Sequence, residues 1–241
     1  MIRLEHVNKT YNNADVKAVS DLSLTVEDGE IVGFIGPNGA GKTTTIKMMT
    51  GILKPDNGTV MINEFDMHKQ PLDAKKVIGY IADSPDMFLR LTGLEFINFM
   101  ADIYQIPAEG RKEKITSLIE RFELEHALDK PMQSYSHGMR QKMMVTAALV
   151  HNPEVWILDE PLTGLDPKSA FELKKMMREH ADAGNSVLFS THVLEVAEKL
   201  CDKVIVITHG QALYYGTLDE LKTRYPGMDL ERIFLEMTKD E

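Results

Sequence analysis

Residues 36 to 44 read Gly-Pro-Asn-Gly-Ala-Gly-Lys-Thr-Thr, the GxxxxGK[ST] pattern of a phosphate-binding loop. Glycines let the backbone curl until its N–H groups converge on an anion, and the start of the helix that follows adds its positive dipole end. Lys42 is spaced to reach β- and γ-phosphates and Thr43 to ligate Mg²⁺, with Gly36, Pro37, Asn38, Gly39, Ala40, Gly41 and Thr44 completing the cradle. The loop lies between the apolar run Ile31-Val32-Gly33-Phe34-Ile35, which reads as a strand buried on both faces, and a helix-like stretch. That context implies a nucleoside triphosphate as ligand.

A second group of reactive side chains ends the run Val155-Trp156-Ile157-Leu158-Asp159-Glu160. In an open α/β sheet ligands bind where strands end, which puts two carboxylates at the ligand edge. Asp159 suits Mg²⁺, usually held through water, because hard cations take oxygen ligands. Glu160 points elsewhere and suits a general base that polarises an attacking water; an exposed acidic turn is the ordinary alternative. His192, in Phe189-Ser190-Thr191-His192-Val193-Leu194, follows the next core strand. A neutral imidazole there donates to a γ-phosphate or orients water and Glu160, although a lone histidine is more often structural. The other seven histidines have no comparable placement.

Two further features are open to more than one reading. Tyr11 lies in the polar turn Lys9-Thr10-Tyr11-Asn12-Asn13, where its ring could stack on a nucleobase or simply pack on the surface. The stretch Ser134-Tyr135-Ser136-His137-Gly138-Met139-Arg140-Gln141-Lys142-Met143 opens an apolar helix with a serine cap beside glycine. That is either a second anion-binding helix start or an ordinary capped helix.

The elements that must position these groups follow from periodicity. Alternation in Ile2 to Val7 and in Leu22 to Val26, with a turn at Glu27-Asp28-Gly29-Glu30, predicts antiparallel strands ahead of the loop. A turn at Lys54 to Gly58 leads to the alternating Thr59 to Asn63, and Val77 to Ile81 is a further strand. From about residue 88 to 150, apolar residues recur at three and four, predicting an inserted helical subdomain. Strand signals return at Val155 to Leu158, Ser186 to Ser190 and Val204 to Ile207, separated by a helical stretch from Ser169 to Ala183. Continuous apolar strands alternating with helices mean a parallel α/β core covered on both faces. Residues 212 to 241 read as the end of a hairpin and one charged helix.

A chain of 241 residues builds one good core with at most a small appended subdomain. No stretch approaches the ~18 to 20 uncharged apolar residues needed to span a bilayer, and Met1-Ile2-Arg3-Leu4-Glu5 lacks a signal-peptide layout. A soluble, cytoplasmic chain is expected. The single cysteine, Cys201, excludes an internal disulfide and reads as a core-edge thiol. A formal charge of −10, from 27 basic against 37 acidic residues, argues against a nucleic acid partner. The 15 methionines scatter through helix-like segments, where adaptable packing is the ordinary account and a partner-binding methionine surface the alternative.

The order of these motifs resembles the ATP-binding subunit of ABC transporters, and the likeness covers nearly the whole chain. Gly36 to Thr44 resembles its Walker A loop, Trp156 to Glu160 its Walker B strand, and Gly164-Leu165-Asp166 its D-loop. Tyr11 matches the aromatic position that stacks on adenine, and His192 the switch histidine. Tyr135-Ser136-His137-Gly138-Met139 is similar to the family signature Leu-Ser-Gly-Gly-Gln, keeping Ser136 and Gly138 but with His137 and Met139 in place of glycine and glutamine. Ile78 to Pro85 resembles the Q-loop region, with Asp83 where glutamine is usual; aspartate can still hold Mg²⁺ or its water. Both departures are similar to those of bacterial ABC-2-type exporter ATPases.

The resemblance implies a P-loop (RecA-like) parallel-sheet core with an antiparallel β subdomain and an inserted α-helical subdomain. The division runs 1–86, about 87–150, 151–210, and a C-terminal hairpin and helix at 211–241. It implies ATP and Mg²⁺ as cofactors, the metal held at Thr43, Asp159 and Asp83, and hydrolysis promoted by Glu160 and His192. It also implies that Ser136 and Gly138 face nucleotide held by a second ATP-binding subunit, identical or a close paralogue, in a head-to-tail dimer. Closure of that dimer would drive separate integral membrane permease subunits, docked near Asp83 and residues 87 to 100, which places the chain at the cytoplasmic face of the cell membrane. A non-transport ABC ATPase serving DNA maintenance, translation or cluster assembly is the rival class. Against it stand the acidic charge, the single ATP-binding unit and the lack of a long coiled-coil insertion.

Overall fold

Alternating burial builds the first sheet. In the computed structural model, which describes residues 1–11, 17–86 and 88–239, β1 (Ile2–Lys9) and β2 (Val19–Val26) pair antiparallel, with Ile2 opposite Val26 and Leu4 opposite Leu24. The next strand, β3 (Ile31–Ile35), is buried at every residue and leaves this sheet for the centre of the molecule. It runs into the phosphate loop and α1 (Lys42–Met49). The chain then returns to the first sheet through β4 (Asn57–Ile62), antiparallel to β1, and the short β5 (Phe65–Asp66), giving the order β2-β1-β4-β5. Asn12 and Asn13, part of the turn that holds Tyr11, lie outside the described residues, as does Met87.

After α2 (Pro71–Lys76) and β6 (Ile78–Ile81) come the helices anticipated between residues 88 and 150: α3 (Gly93–Ile103), α4 (Arg111–Arg121) and α5 (His137–Leu149). Thr92 and Glu95 close a reciprocal capping box on α3, a device that contributes about 1 kcal/mol. The remaining elements are β7 (Val155–Leu158), α6 (Pro167–Asp182), β8 (Ser186–Thr191), α7 (Leu194–Leu200), β9 (Lys203–Thr208), β10 (Gln211–Thr217), α8 (Leu218–Arg224) and α9 (Leu230–Met237).

The second sheet has the order β10-β9-β3-β8-β7-β6, parallel throughout except for the edge strand β10. Strand residues alternate between its faces. Val32, Phe34, Ile157 and Leu188 pack toward α1 and the antiparallel sheet, whereas Ile31, Trp156, Leu158 and Phe189 pack toward α3, α5 and α6. A third cluster joins Ile35, Val204 and Val206 to α7, α8 and α9. Met48, Met49, Met143 and Met177 are fully buried in these cores, as packing predicted for the methionines. Cys201 is free; its sulfur fills the space beside Gly33, and burial pushes its thiol well above the usual range.

Two boundaries differ from the sequence expectation. The helix expected from Ser169 starts at Pro167, because Asp166 caps it and proline is tolerated in the first turn. The tail is two helices rather than one: Pro226 follows Tyr225, and Gly227 at φ 79° turns the chain before α9. Leu230 and Ile233 of α9 are buried, so this segment closes a core as well as presenting charge. Residues 240 and 241 lie outside the described range.

Candidate functional site

Because β3, β8 and β7 are parallel neighbours, their C-terminal ends deliver three groups of side chains to one edge of the sheet. The loop after β3 forms one wall of a cleft of about 500 Å³. Pro37, Asn38, Gly39, Gly41, Lys42, Thr43 and Thr44 line it, whereas Gly36 and Ala40 support the loop from beneath. A side chain on Gly36 would put its Cβ 2.3 Å from the Ile207 carbonyl oxygen. Gly41, at φ 105°, lies 2.4 Å by the same measure from the carbonyl of Ala18. Only glycine fits either place. No side chain caps the start of α1, which leaves its first N–H groups for an anion. Lys42 is nearly buried and folds back over the loop, donating from Nζ to Gly36 O at 2.7 Å and Pro37 O at 3.2 Å.

The opposite wall comes from β7 and β8. Asp159 is 1% exposed and accepts a 2.6 Å hydrogen bond on Oδ1 from the Ser190 hydroxyl. Its Oδ2 is buried with no hydrogen-bond partner in the protein, an oxygen left for a ligand from outside. Glu160 sits at φ 47°, a left-handed conformation that turns its side chain away from that of Asp159 and into the cleft. There its Oε2 meets His192 Nδ1 at 2.9 Å, and its Oε1 lies 3.7 Å from Lys42 Nζ. Asp83, after β6, lines the same cleft. Burial and the carboxylates of Asp159 and Asp83 push the Tyr80 phenol up to about 12, which keeps it neutral beside them.

Tyr11 stands at the mouth of the cleft, half exposed, its hydroxyl 3.2 Å from Thr44 Oγ1. Its ring is open to a flat partner.

Ser136 and Gly138 are elsewhere: neither lines this cleft. Ser136 is the N-cap of α5 and accepts from Met139 N at 3.2 Å. Gly138 and His137 pack on Gly164, the glycine Cβ position lying 2.8 Å from Gly164 O. Two further ties join α5 to the same loop. Gln141 Nε2 donates to Pro161 O at 3.3 Å, and Lys142 Nζ pairs with Asp166 at 3.1 Å. Hydrogen bonds from Ser169, and then Lys142, hold the Asp166 carboxyl well below the usual carboxylate range.

The structure therefore gathers Tyr11, the loop, Asp83, Glu160 and His192 about one cleft, with Asp159 buried next to Glu160 and not itself lining the cleft, and it leaves Ser136 and Gly138 out of the lining. Sequence reading passed over Ser190, Ala18 and Thr163, of which the last two line the cleft. The available signal for Ser190 was a hydroxyl inside an apolar strand, which must find a partner once buried. Among the described residues no cluster of three or more His, Cys, Asp or Glu side chains forms a ready-made metal cage. The oxygen set of Thr43, Asp83 and Asp159 nevertheless suits a hard cation that also takes phosphate oxygens.

Residues 19–163 match the ABC transporter family. The chain is 36% identical over 221 residues to the ABC transporter ATP-binding protein NatA of Bacillus subtilis, covering 91% of this chain and 90% of the relative. It is 37% identical over 210 residues to the lipopolysaccharide export system ATP-binding protein LptB of Escherichia coli, covering 85% and 86%. A solved ATP-binding subunit of an ABC transporter superposes with a TM-score of 0.93 at 31% identity, over 99% of both chains. A dimeric bacterial ABC transporter cassette superposes at 0.81 with 25% identity, over 90% of this chain and 99% of that one. With family, fold and cleft in agreement, this chain belongs to the ABC transporter family, as the ATP-binding subunit whose ATP hydrolysis powers transport.

Proposed function

We propose that two such subunits close head to tail around ATP, each completing the other's site, and that this closure drives export through separate permease subunits. The observation that carries the reading is the separation of Ser136 and Gly138 from the cleft of their own chain. A serine hydroxyl and glycine N–H at the start of α5 are suited to γ-phosphate, and a second chain brings them to one. The dimeric cassette structure supports the pairing, and the name of the lipopolysaccharide export relative supports the direction.

Within the cleft the roles follow from geometry. Lys42, now bonded to its own loop carbonyls, exchanges them for β- and γ-phosphate oxygens. Glu160 accepts a proton from the attacking water, and His192 holds the carboxylate in place through Nδ1. Thr43, Asp159 and Asp83 would hold Mg²⁺, with Asp159 Oδ2 the oxygen free for it. When bound, Mg²⁺ supplies neutralisation of charge on the β- and γ-phosphate oxygens. Tyr11 stacks on the adenine.

The permease contact lies beside Asp83, at residues 88 to 103. Phe88 stacks on Phe96 at 5.3 Å between ring centroids, and Phe88, Leu94, Phe99 and Ile103 remain substantially exposed. Such a patch on a charged chain marks a protein contact. On this reading the membrane path belongs to other chains and the subunit sits peripherally at the cytoplasmic face; no helix of the described residues is long and apolar enough to cross a membrane.

Complementation tests the composite site. Chains carrying Lys42→Ala and chains carrying Ser136→Ala are each expected to hydrolyse ATP poorly, and an equal mixture to recover activity, because the mixed dimer contains one intact site. A mixture no more active than its parts refutes head-to-tail sharing. Glu160→Gln in the same assay is expected to bind ATP and dimerise without turnover; turnover at the unaltered rate would overturn the general-base assignment.

A further inference from the structure

Strand β8 supplies two side chains to the hydrolytic residues. His192, just beyond its end, meets the Glu160 carboxylate, and Ser190, two residues earlier and so on the same side of the strand, meets the Glu160 backbone. The Ser190 hydroxyl is fully buried, 2.6 Å from Asp159 Oδ1 and 2.8 Å from the Glu160 nitrogen. Its one proton can go only one way. The Glu160 N–H is a donor, so the hydroxyl accepts there and must donate to the Asp159 carboxylate.

We infer that Ser190 is a positioning residue for ATP hydrolysis, holding Asp159 and Glu160 in one arrangement through these two hydrogen bonds. Donation to Oδ1 fixes the Asp159 carboxylate and leaves Oδ2 as its only unpartnered oxygen. Acceptance from the Glu160 N–H holds a non-glycine residue at φ 47°, the conformation that sends one acidic side chain toward the loop and its neighbour toward the metal position. Without the hydroxyl, Asp159 Oδ1 and the Glu160 N–H would both lose their partners in a buried place, and rotation of the carboxylate or relaxation of the turn would follow. The inference rests on the assignment of Asp159 and Glu160 above. Ser190 itself does not line the cleft.

The full chain tests this with Ser190→Ala and Ser190→Thr. Rates are divided by the number of molecules that bind ATP in EDTA, so that misfolded protein does not enter the comparison. Ser190→Ala is expected to lower kcat about tenfold to a hundredfold and to raise the Mg²⁺ concentration for half-maximal rate, with ATP affinity in EDTA unchanged within about twofold. Ser190→Thr, which keeps the hydroxyl, is expected to retain kcat within about threefold. A second readout needs neither nucleotide nor metal. In a double-mutant cycle on urea unfolding, Ser190→Ala and Asp159→Ala should couple by at least about threefold in the unfolding equilibrium constant. Wild-type kcat and Mg²⁺ dependence in Ser190→Ala overturns the inference. So does a threonine variant as impaired as the alanine one, or additive unfolding in the cycle. If Glu160→Gln retains full turnover while Ser190 and Asp159 still couple, the general-base assignment fails and the hydrogen-bonded arrangement stands.

Discussion

Mild acid should destabilise this protein well before its carboxylates protonate, through two half-buried imidazoles outside the cleft. His151 stacks on Tyr104 with ring centroids 3.5 Å apart and planes 4° from parallel, and its Nε2 lies 3.0 Å from Ile78 O. A carbonyl only accepts, so Nε2 carries the proton and Nδ1, buried without a partner, is bare. His180 meets Trp156 edge-on at 5.5 Å, and its Nε2 is likewise buried and unpartnered. A second proton on either ring has no acceptor waiting for it, and burial accordingly lowers both to about 4. In the unfolded chain they titrate near 6.5, so between about pH 6.5 and 4 the unfolded state binds more protons and stability falls as pH falls. At pH 5 the difference is about 2 kcal/mol for each ring, or about 4 kcal/mol together, a large share of the total stability of a domain. His68, lowered by burial as well, adds in the same direction. Urea melts followed by circular dichroism at pH 7 and pH 5 give the loss directly. A double variant, His151→Phe with His180→Phe, should keep most of the stability that the parent loses. If the variant loses as much as the parent over that interval, burial of these two rings is not the cause of the acid sensitivity.

Two other outcomes follow from the loop and its mouth. Gly41→Ala places a methyl against the Ala18 carbonyl at φ 105°, so it should cost at least about 2 kcal/mol in urea unfolding and weaken ATP binding by calorimetry. Tyr11→Ala removes the ring proposed to stack on adenine, an interaction of about 1 to 3 kcal/mol, so ATP affinity should fall fivefold or more; Tyr11→Phe, which loses only the hydroxyl near Thr44, should bind within about threefold of the parent.

The parallel core was legible because its strands carry apolar runs instead of an apolar/polar alternation. β3, β7 and β8 are buried at every position, and only a central sheet demands that. The cleft was legible because its chemistry is local: the loop and the Asp159-Glu160 pair are each consecutive in the chain. Ser190 was not, because its partners lie 31 and 30 residues away and nothing in a serine announces which strand will lie beside it. α6 begins two residues before the helical stretch expected from Ser169, because Asp166 caps it and Pro167 fits its first turn. The tail's charged composition suits a single helix, whereas Pro226 and Gly227 divide it into two. The ties from α5 to the loop after Glu160 could not be read at all, since they depend on how two helices cross.

Those ties give the loop from Glu160 to Asp166 little freedom of its own. Gln141 holds its beginning at Pro161, His137 and Gly138 bear on its middle at Gly164, and Lys142 holds its end at Asp166. Neighbouring positions on the first turns of one rigid rod thus grip three points of a segment whose first residue is the carboxylate facing His192. A Cβ added at Gly138 would lie 2.8 Å from Gly164 O, so the two segments sit closer than a side chain there would allow. A small shift at either end must carry the other along as a lever does, or break one of the three grips.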